Sequence, residues 1–270
     1  MRNATLAELG GILDWAAEEG WNPGLEDATA FYHADSKGFF VAVQDDAPIA
    51  AMSVVNHSDR FAFLGLYIVR PAFRGQGIGY ALWQHALRHA GSRCIGLDGV
   101  PAQQGNYAAS GFAHAGATIR FEGPVPAHSD PATVRPATPA DHVALVANEA
   151  KASGSHKPGY LMPWFENTEA RCTYVSKTSG AFCTVRTCHK GAKIGPLLAP
   201  SRADAARLMQ HAAHEFGPDL IIDVPAASTE LVALCEGFGM ETGFETARMY
   251  RGDFDHRPPD LFAAATLELG

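Results

Sequence analysis

The chain has 270 residues, 47% of them apolar and 19% charged, enough to bury one large core or two of ordinary size. Lysines and arginines number 21 against 29 aspartates and glutamates, and the net charge of −8 argues against nucleic acid or an anionic membrane surface as partner. No apolar run approaches membrane-spanning length, and Met1 to Glu8 lacks the apolar segment of a signal peptide, so a cytoplasmic protein without membrane contact is expected.

In chain order, Thr5-Leu6-Ala7-Glu8 is a capping box opening a helix whose apolar face is Leu6, Leu9, Ile12 and Leu13; Gly20 to Gly24 breaks it. A short helix is predicted over Leu25 to His33, then strands at Phe39 to Val43 and Ile49 to Val55, with Asp45-Asp46-Ala47-Pro48 as the hairpin turn. Phe61 to Val69 is the next strand. It runs into a glycine-rich turn, Arg74-Gly75-Gln76-Gly77-Ile78-Gly79, and then a helix with Ile78, Leu82 and Ala86 on one side. No Ser, Thr, Asp or Asn stands at that helix start to satisfy its first amides. Bare backbone beside Arg74 is a site for a phosphate group. A strand at Ile95 to Asp98, a helix or turn at Gln103 to Ser110, and a last strand near Ala117 to Phe121 complete the unit and close its sheet.

Glu122 to Thr133 holds three prolines and no periodicity and reads as a linker, which sets domains at 1–123 and 134–270 with 124–133 between them. The second domain repeats the first. Thr138 and Asp141 repeat the capping box, with Pro139 at the first helical position; Ile194 to Leu198 stands for Leu64 to Ile68. Leu208 to Ala212 stands for Leu82 to Ala86, and Ile221 to Pro225 for Gly96 to Pro101. The glycines are absent from the second copy, where Ser201-Arg202-Ala203-Asp204 caps its own helix and sets a carboxylate where a phosphate would bind. Five cysteines, an odd number without framework spacing, are expected as free thiols. Cys183, Cys188 and His189 sit on or beside an alternating strand, where positions five apart face opposite ways, so no metal is expected.

The pattern Arg-x-x-Gly-x-Gly on Arg74, Gly77 and Gly79, after a strand ending in Val69-Arg70-Pro71, resembles the coenzyme A pyrophosphate loop of the GNAT superfamily of N-acetyltransferases. The resemblance extends over nearly the whole first copy, to Asn106-Tyr107-Ala108-Ala109-Ser110-Gly111-Phe112. It implies an α/β (α+β) fold of two tandem GNAT-like domains, each a mixed, mostly antiparallel sheet with a splayed parallel strand pair flanked by helices. It further implies acetyl transfer from acetyl-CoA to a small-molecule amine, with no metal, by direct attack with both substrates bound. Tyr107 holds the place of the general acid for the departing thiolate. Ile68 and Val69 would line the pantetheine arm; Arg74, Gly75, Gln76, Gly77, Ile78 and Gly79 would hold the pyrophosphate, and Asn106 would border the cofactor. Where the family often has an asparagine, this chain has Val100; Asn106, Gln103 and Gln104 are all candidates to replace it. Asp27, Asp98 and Glu26, with His33 behind them, are the base candidates, and Trp21 and Asn22 lie where the family builds its acceptor pocket. Cys235 in the tyrosine place makes the second copy non-catalytic, with a use in walling off the acceptor site or in association as a homodimer.

Two other readings stand beside this one. A non-catalytic module that senses acyl-CoA would share the loop but not the chemistry. An NAD-dependent oxidoreductase would use Gly75, Gly77 and Gly79 as a dinucleotide turn with Asp98 on the ribose, although Tyr80 stands where the third glycine belongs.

Overall fold

The computed structural model describes residues 1–129 and 132–270; residues 130 and 131, in the expected linker, lie outside the described residues. The first half runs β1 (Arg2–Asn3), α1 (Leu6–Glu18), α2 (Asp27–Ala34), β2 (Phe39–Gln44), β3 (Ala47–Asn56), β4 (Phe61–Val69), α3 (Ile78–Ala90), β5 (Cys94–Gly99), α4 (Gln104–Ala109) and β6 (Ala113–Pro124). The second repeats it: β7 (Val134–Pro136), α5 (His142–Ser153), α6 (Pro158–Trp164), β8 (Arg171–Ser176), β9 (Phe182–Thr187), β10 (Ala192–Leu198), α7 (Arg202–Phe216), β11 (Asp219–Pro225), α8 (Thr229–Gly237) and β12 (Glu241–Arg251). A short β13 (Phe262–Ala263) follows.

Local chemistry sets most boundaries. Thr5 accepts from the Glu8 amide while Glu8 reaches back to the Thr5 amide, so α1 opens on the expected box. Asp45 and Asp46, at φ 49° and 62°, make the left-handed two-residue turn that a twisted hairpin needs. The second copy's helix departs from expectation. Arg135 holds the Asp141 carboxylate at 2.8 Å, and Thr138 donates its amide and hydroxyl to it, so 139–141 form a turn and α5 starts at His142.

The strands of the described residues form one sheet in the order β1-β2-β3-β4-β5-β12-β6-β11-β10-β9-β8-β7, with β13 added beside β10. The order is pseudo-symmetric about β12 and β6, and those two strands are exchanged. The strand expected to close the first half, β6, instead pairs with β11 from Thr118↔Pro225 to Asp219↔Pro124, while β12 pairs with β5. The two exchanged strands also pair with each other. Alternation buries both faces of the first half: Phe39 and Val41 join a core with α1, α2, α5 and α6, while Phe40 and Ala42 join one with α3.

Two features position the site. Parallel pairing of β4 with β5 stops at Leu64↔Leu97, and of β10 with β11 at Ile194↔Ile222; beyond those points each pair parts. The tail after β12 then treats the two gaps differently. In the second half β13 pairs with β10 at Leu197↔Ala263 and Leu198↔Phe262, and the Ala264 amide donates to Asp223 on β11, so the tail fills the gap. It passes over Gly195, where a Cβ would lie 2.5 Å from the Ala264 carbonyl oxygen, and on to Gly65, the matching residue of the first half. His57 Nε2 bonds the Leu269 carbonyl at 2.8 Å, and Lys157 Nζ donates to the Gly270 main-chain oxygen at 2.6 Å, tying the tail down.

Candidate active site

The helix α3 begins as the glycine loop requires. Gly77 is its N-cap at φ 78°, with no side-chain cap, and Gly75 stands at φ 76°. Both are left-handed positions that favour glycine, and space where a Cβ would go is open. The first amides of a 13-residue helix therefore point out beside open space, which fits a diphosphate. Gly79 serves packing instead: a Cβ there would meet the Tyr67 hydroxyl at 2.6 Å. In the second half Ser201 caps the Asp204 amide at 3.2 Å and Arg207 pairs with Asp204 at 2.8 Å, so α7 satisfies itself.

Two hollows meet where β4 and β5 part. One is a groove lined by Tyr80, Trp83, Asn106 and Ser110. The other is a cavity lined by Leu64 to Tyr67, Leu97, Asp98 and Val100 from the first half. Tyr67, Gln103 and Tyr107 border both. Trp83 stacks on Tyr107 with centroids 5.5 Å apart, which holds the phenol ring in place. Burial raises the Tyr107 pKa above the ordinary phenol value, as it does for Tyr67, so both hydroxyls stay protonated at neutral pH. Among the described residues neither hydroxyl has a hydrogen-bond partner in the protein, which leaves both for a ligand.

The remaining candidate residues separate. Trp21 lines the cavity, its carbonyl held by Arg120 Nη1 at 2.9 Å and Lys193 Nζ at 3.1 Å. Asn22 turns away, bonding both the carbonyl and the amide of Lys190. Asp98 lines the cavity but is saturated, accepting from Arg248 through both oxygens at 3.0 and 2.7 Å and from Thr118 and Thr246. Its repeat partner Asp223 is paired in the same way with Arg120, at 2.7 and 2.9 Å. Each aspartate thus takes its arginine from the exchanged strand of the other half. Asp27 is buried off the cavity, accepting from the Gly24 amide at 2.8 Å and Arg186 Nε at 3.2 Å. Glu26 accepts from Thr168 Oγ1 and the Ala170 amide in a separate surface groove that also holds His33. Arg74 donates to the Val69 carbonyl at 2.8 Å and pairs with Glu19; Gln76 donates to the Ala72 carbonyl at 3.1 Å. Ile68 is buried beyond the strand split, paired with Ala51, and Ile78 packs against the α3 core.

The rest of the cavity wall is made of residues the sequence did not single out: Phe244, Thr246, Leu267 and Glu268 from the second half, beside Arg120 from the first half's exchanged strand. Arg120 stacks over Phe244 at 4.5 Å. Glu268 is 4% exposed, and among the described residues its carboxylate makes no hydrogen bond or ion pair. The only signal in the chain is an acid between Leu267 and Leu269 in a segment where Thr266 is the one other polar side chain. Among the described residues no cluster of His, Cys, Asp and Glu could hold a metal, and no helix is long and apolar enough to cross a membrane.

Comparison with known proteins agrees with this geometry. Profiles described as the acetyltransferase (GNAT) family and the acetyltransferase (GNAT) domain match residues 6–116 and 146–263. The holothin acyltransferase of Pseudoalteromonas sp. (strain SANK 73390) is 32% identical to this chain, over 99% of it and 93% of the relative. A crystal structure from Pyrococcus horikoshii, named as an acetyltransferase, has the same fold at TM-score 0.83 and 19% identity, covering 100% of this chain and 95% of that one. A tandem GNAT protein from the clavulanic acid biosynthesis pathway matches at TM-score 0.59 and 16% identity, over 93% and 96% of the two chains. With both halves matched by GNAT profiles and a near-full-length relative 32% identical, the chain belongs to the GNAT superfamily of acyltransferases, in its tandem form.

Proposed function

We propose that the protein transfers an acetyl group from acetyl-CoA to the amine of a small molecule, with acetyl-CoA held by the N-terminal half and the acceptor in the cavity that the second half helps to wall. The observation that carries this is the meeting of two hollows at Tyr67, Gln103 and Tyr107: a donor in the groove and an acceptor in the cavity share these three residues. The domain binding acetyl-CoA is 1–123, with 124–133 joining it to a non-catalytic 134–270. Gly75, Gly77, Ile78 and Gly79 offer main-chain amides to the diphosphate, and Arg74 and Gln76 flank them. Ile68 and Val69 border the pantetheine arm, and Asn106 edges the groove. Acetyl-CoA, when bound, supplies an activated carbonyl. A main-chain amide of the parted β4 steadies the carbonyl oxygen, and Tyr107 gives its proton to the sulfur. A phenol whose pKa burial has raised keeps that proton until a thiolate forms beside it.

The same logic supports an inactive second half. Its gap is filled by β13, its helix start is capped by Ser201, and Cys235 stands in the place of Tyr107.

A thiol-release assay tests the reading. Acetyl-CoA and longer acyl thioesters are offered with a panel of small amines. By its name the 32% identical relative acylates holothin, which makes holothin the first acceptor to try. Turnover that falls in Tyr107→Phe while acetyl-CoA affinity stays supports it. Tight acetyl-CoA binding without thiol release for any acceptor overturns it in favour of a binding module.

A further inference from the structure

The second half's tail reaches the first half's cavity with one charged side chain that no protein group satisfies. Buried carboxylates are ordinarily paired or bonded, as Asp27, Asp98, Asp223 and Glu149 are here. Glu268 is the exception: 4% exposed, unpartnered among the described residues, and part of the cavity wall shared with Tyr107. Its position is built rather than incidental. The tail on either side is tied by the Tyr160 hydroxyl to Thr266 at 3.3 Å and by His57 to Leu269 at 2.8 Å, and the Glu268 main chain rests on Gly65.

Resting on the acetyl-transfer reading above, we infer that Glu268 is the general base of the first half's site, taking a proton from the ammonium form of the acceptor. The proton balance is closed. An ammonium nitrogen loses two protons in becoming an amide nitrogen, and its lone pair forms the new N–C bond as the C–S bond breaks. Glu268 takes the first proton and returns it to solvent. The second, lost from the nitrogen as the bond forms, balances the one Tyr107 gives to the departing sulfur. The other acids are poorly suited: Asp98 is saturated by Arg248, and Asp27 and Glu26 lie off the cavity.

The groups acting on Glu268 are Arg120 on β6, Arg186 on β9, Lys193 on β10 and Asp27 on α2, with Asp98, Tyr67 and Tyr107 in the same cavity. Burial raises the Glu268 pKa, opposed by the three cations and aided by Asp27. A carboxylate raised toward neutrality is a better-matched base than an exposed one. It acts only when ionised, so the rate rises with pH through its pKa.

Kinetics of wild type, Glu268→Gln and Glu268→Asp across pH test the inference, with acetyl-CoA and whichever amine wild type turns over. Glu268→Gln keeps the shape and removes a buried charge, so it folds with an unchanged or higher Tm. We expect kcat to fall by roughly 100-fold or more, the acid limb of the pH profile to vanish, and acetyl-CoA affinity by calorimetry to hold. Glu268→Asp retains the limb with part of the rate. A Glu268→Gln enzyme with the wild-type rate, or with the acid limb intact, overturns the role of Glu268 while leaving acetyl transfer standing. A loss confined to acceptor KM also overturns it. Wild type that turns over no amine removes both readings together.

Discussion

Gly65→Ala is the substitution through which the two halves can be pushed apart at the site. Gly65 is on β4 where it leaves β5, and a Cβ there would lie 3.0 Å from the Glu268 carbonyl carbon and 3.1 Å from its Cα, closer still to the carbonyl oxygen. Ordinary carbon–carbon contacts sit near 3.5–4.0 Å, so the tail has to retreat by roughly 1 Å. The atoms met are main chain, tethered on both sides, and cannot swing away. Overpacking of this kind costs about 1–3 kcal/mol, or roughly 2–10 °C in Tm for a chain of this size. A displacement of about 1 Å at a reacting group costs up to about 100-fold in rate. Differential scanning calorimetry and thiol release, run together, should show a modest loss of Tm and a much larger loss of kcat, with acetyl-CoA affinity nearly intact. Wild-type values for both Tm and kcat would refute the packing of the tail against Gly65.

Other outcomes follow from the same geometry. Gly77→Asp puts a carboxylate at the start of α3, the charge that Asp204 sets at the start of α7: acetyl-CoA affinity by calorimetry should drop at least 10-fold, while the left-handed backbone costs about 1–2 kcal/mol of stability. Ser201→Ala should cost about 1 kcal/mol in denaturant unfolding and leave acetyl-CoA binding untouched. Arg120→Ala strands Asp223, a buried partner at 2.7 Å, and should destabilise by about 3–5 kcal/mol, whereas Arg70→Ala, at an exposed pair with Glu18, should change stability little. Burial, with Lys157 nearby, lowers the His57 pKa to about 3. The folded state therefore holds the neutral ring while the unfolded chain takes a proton below about 6.5. The stability this ring allows is full above pH 6.5 and falls as pH drops toward 3, by about 2 kcal/mol at pH 5; His57→Gln should flatten that part of the pH-stability curve.

What could be read from the chain was local. The Thr5–Glu8 box, the strand over Phe61–Val69 and the bare start of α3 each depend on residues a few positions apart, and each is found where the sequence puts it. The repeat was legible for the same reason, in two similar series of short patterns. Partner choice was not. Nothing in Ala113–Pro124 or Glu241–Arg251 says which half's sheet each strand joins, because the register is decided between residues 95 or more positions apart. Asp98 and Asp223 could be matched as repeats, but their arginines come from exchanged strands and were invisible. Glu268 belongs to a stretch without helical or strand period, so its place in the cavity depends on the glycines at Gly195 and Gly65 it passes over.

The exchange of β6 and β12 has a consequence for biosynthesis. Asp98 waits for Arg248, which is 150 residues further along. At translation speeds of about 5–20 residues per second, the emerging first half would spend roughly 8 to 30 s with the β5 edge unpaired. An open edge is a template for pairing with another chain. The nascent polypeptide therefore carries an open edge until the ribosome has delivered the strand that seals a sheet begun at the opposite end of the message.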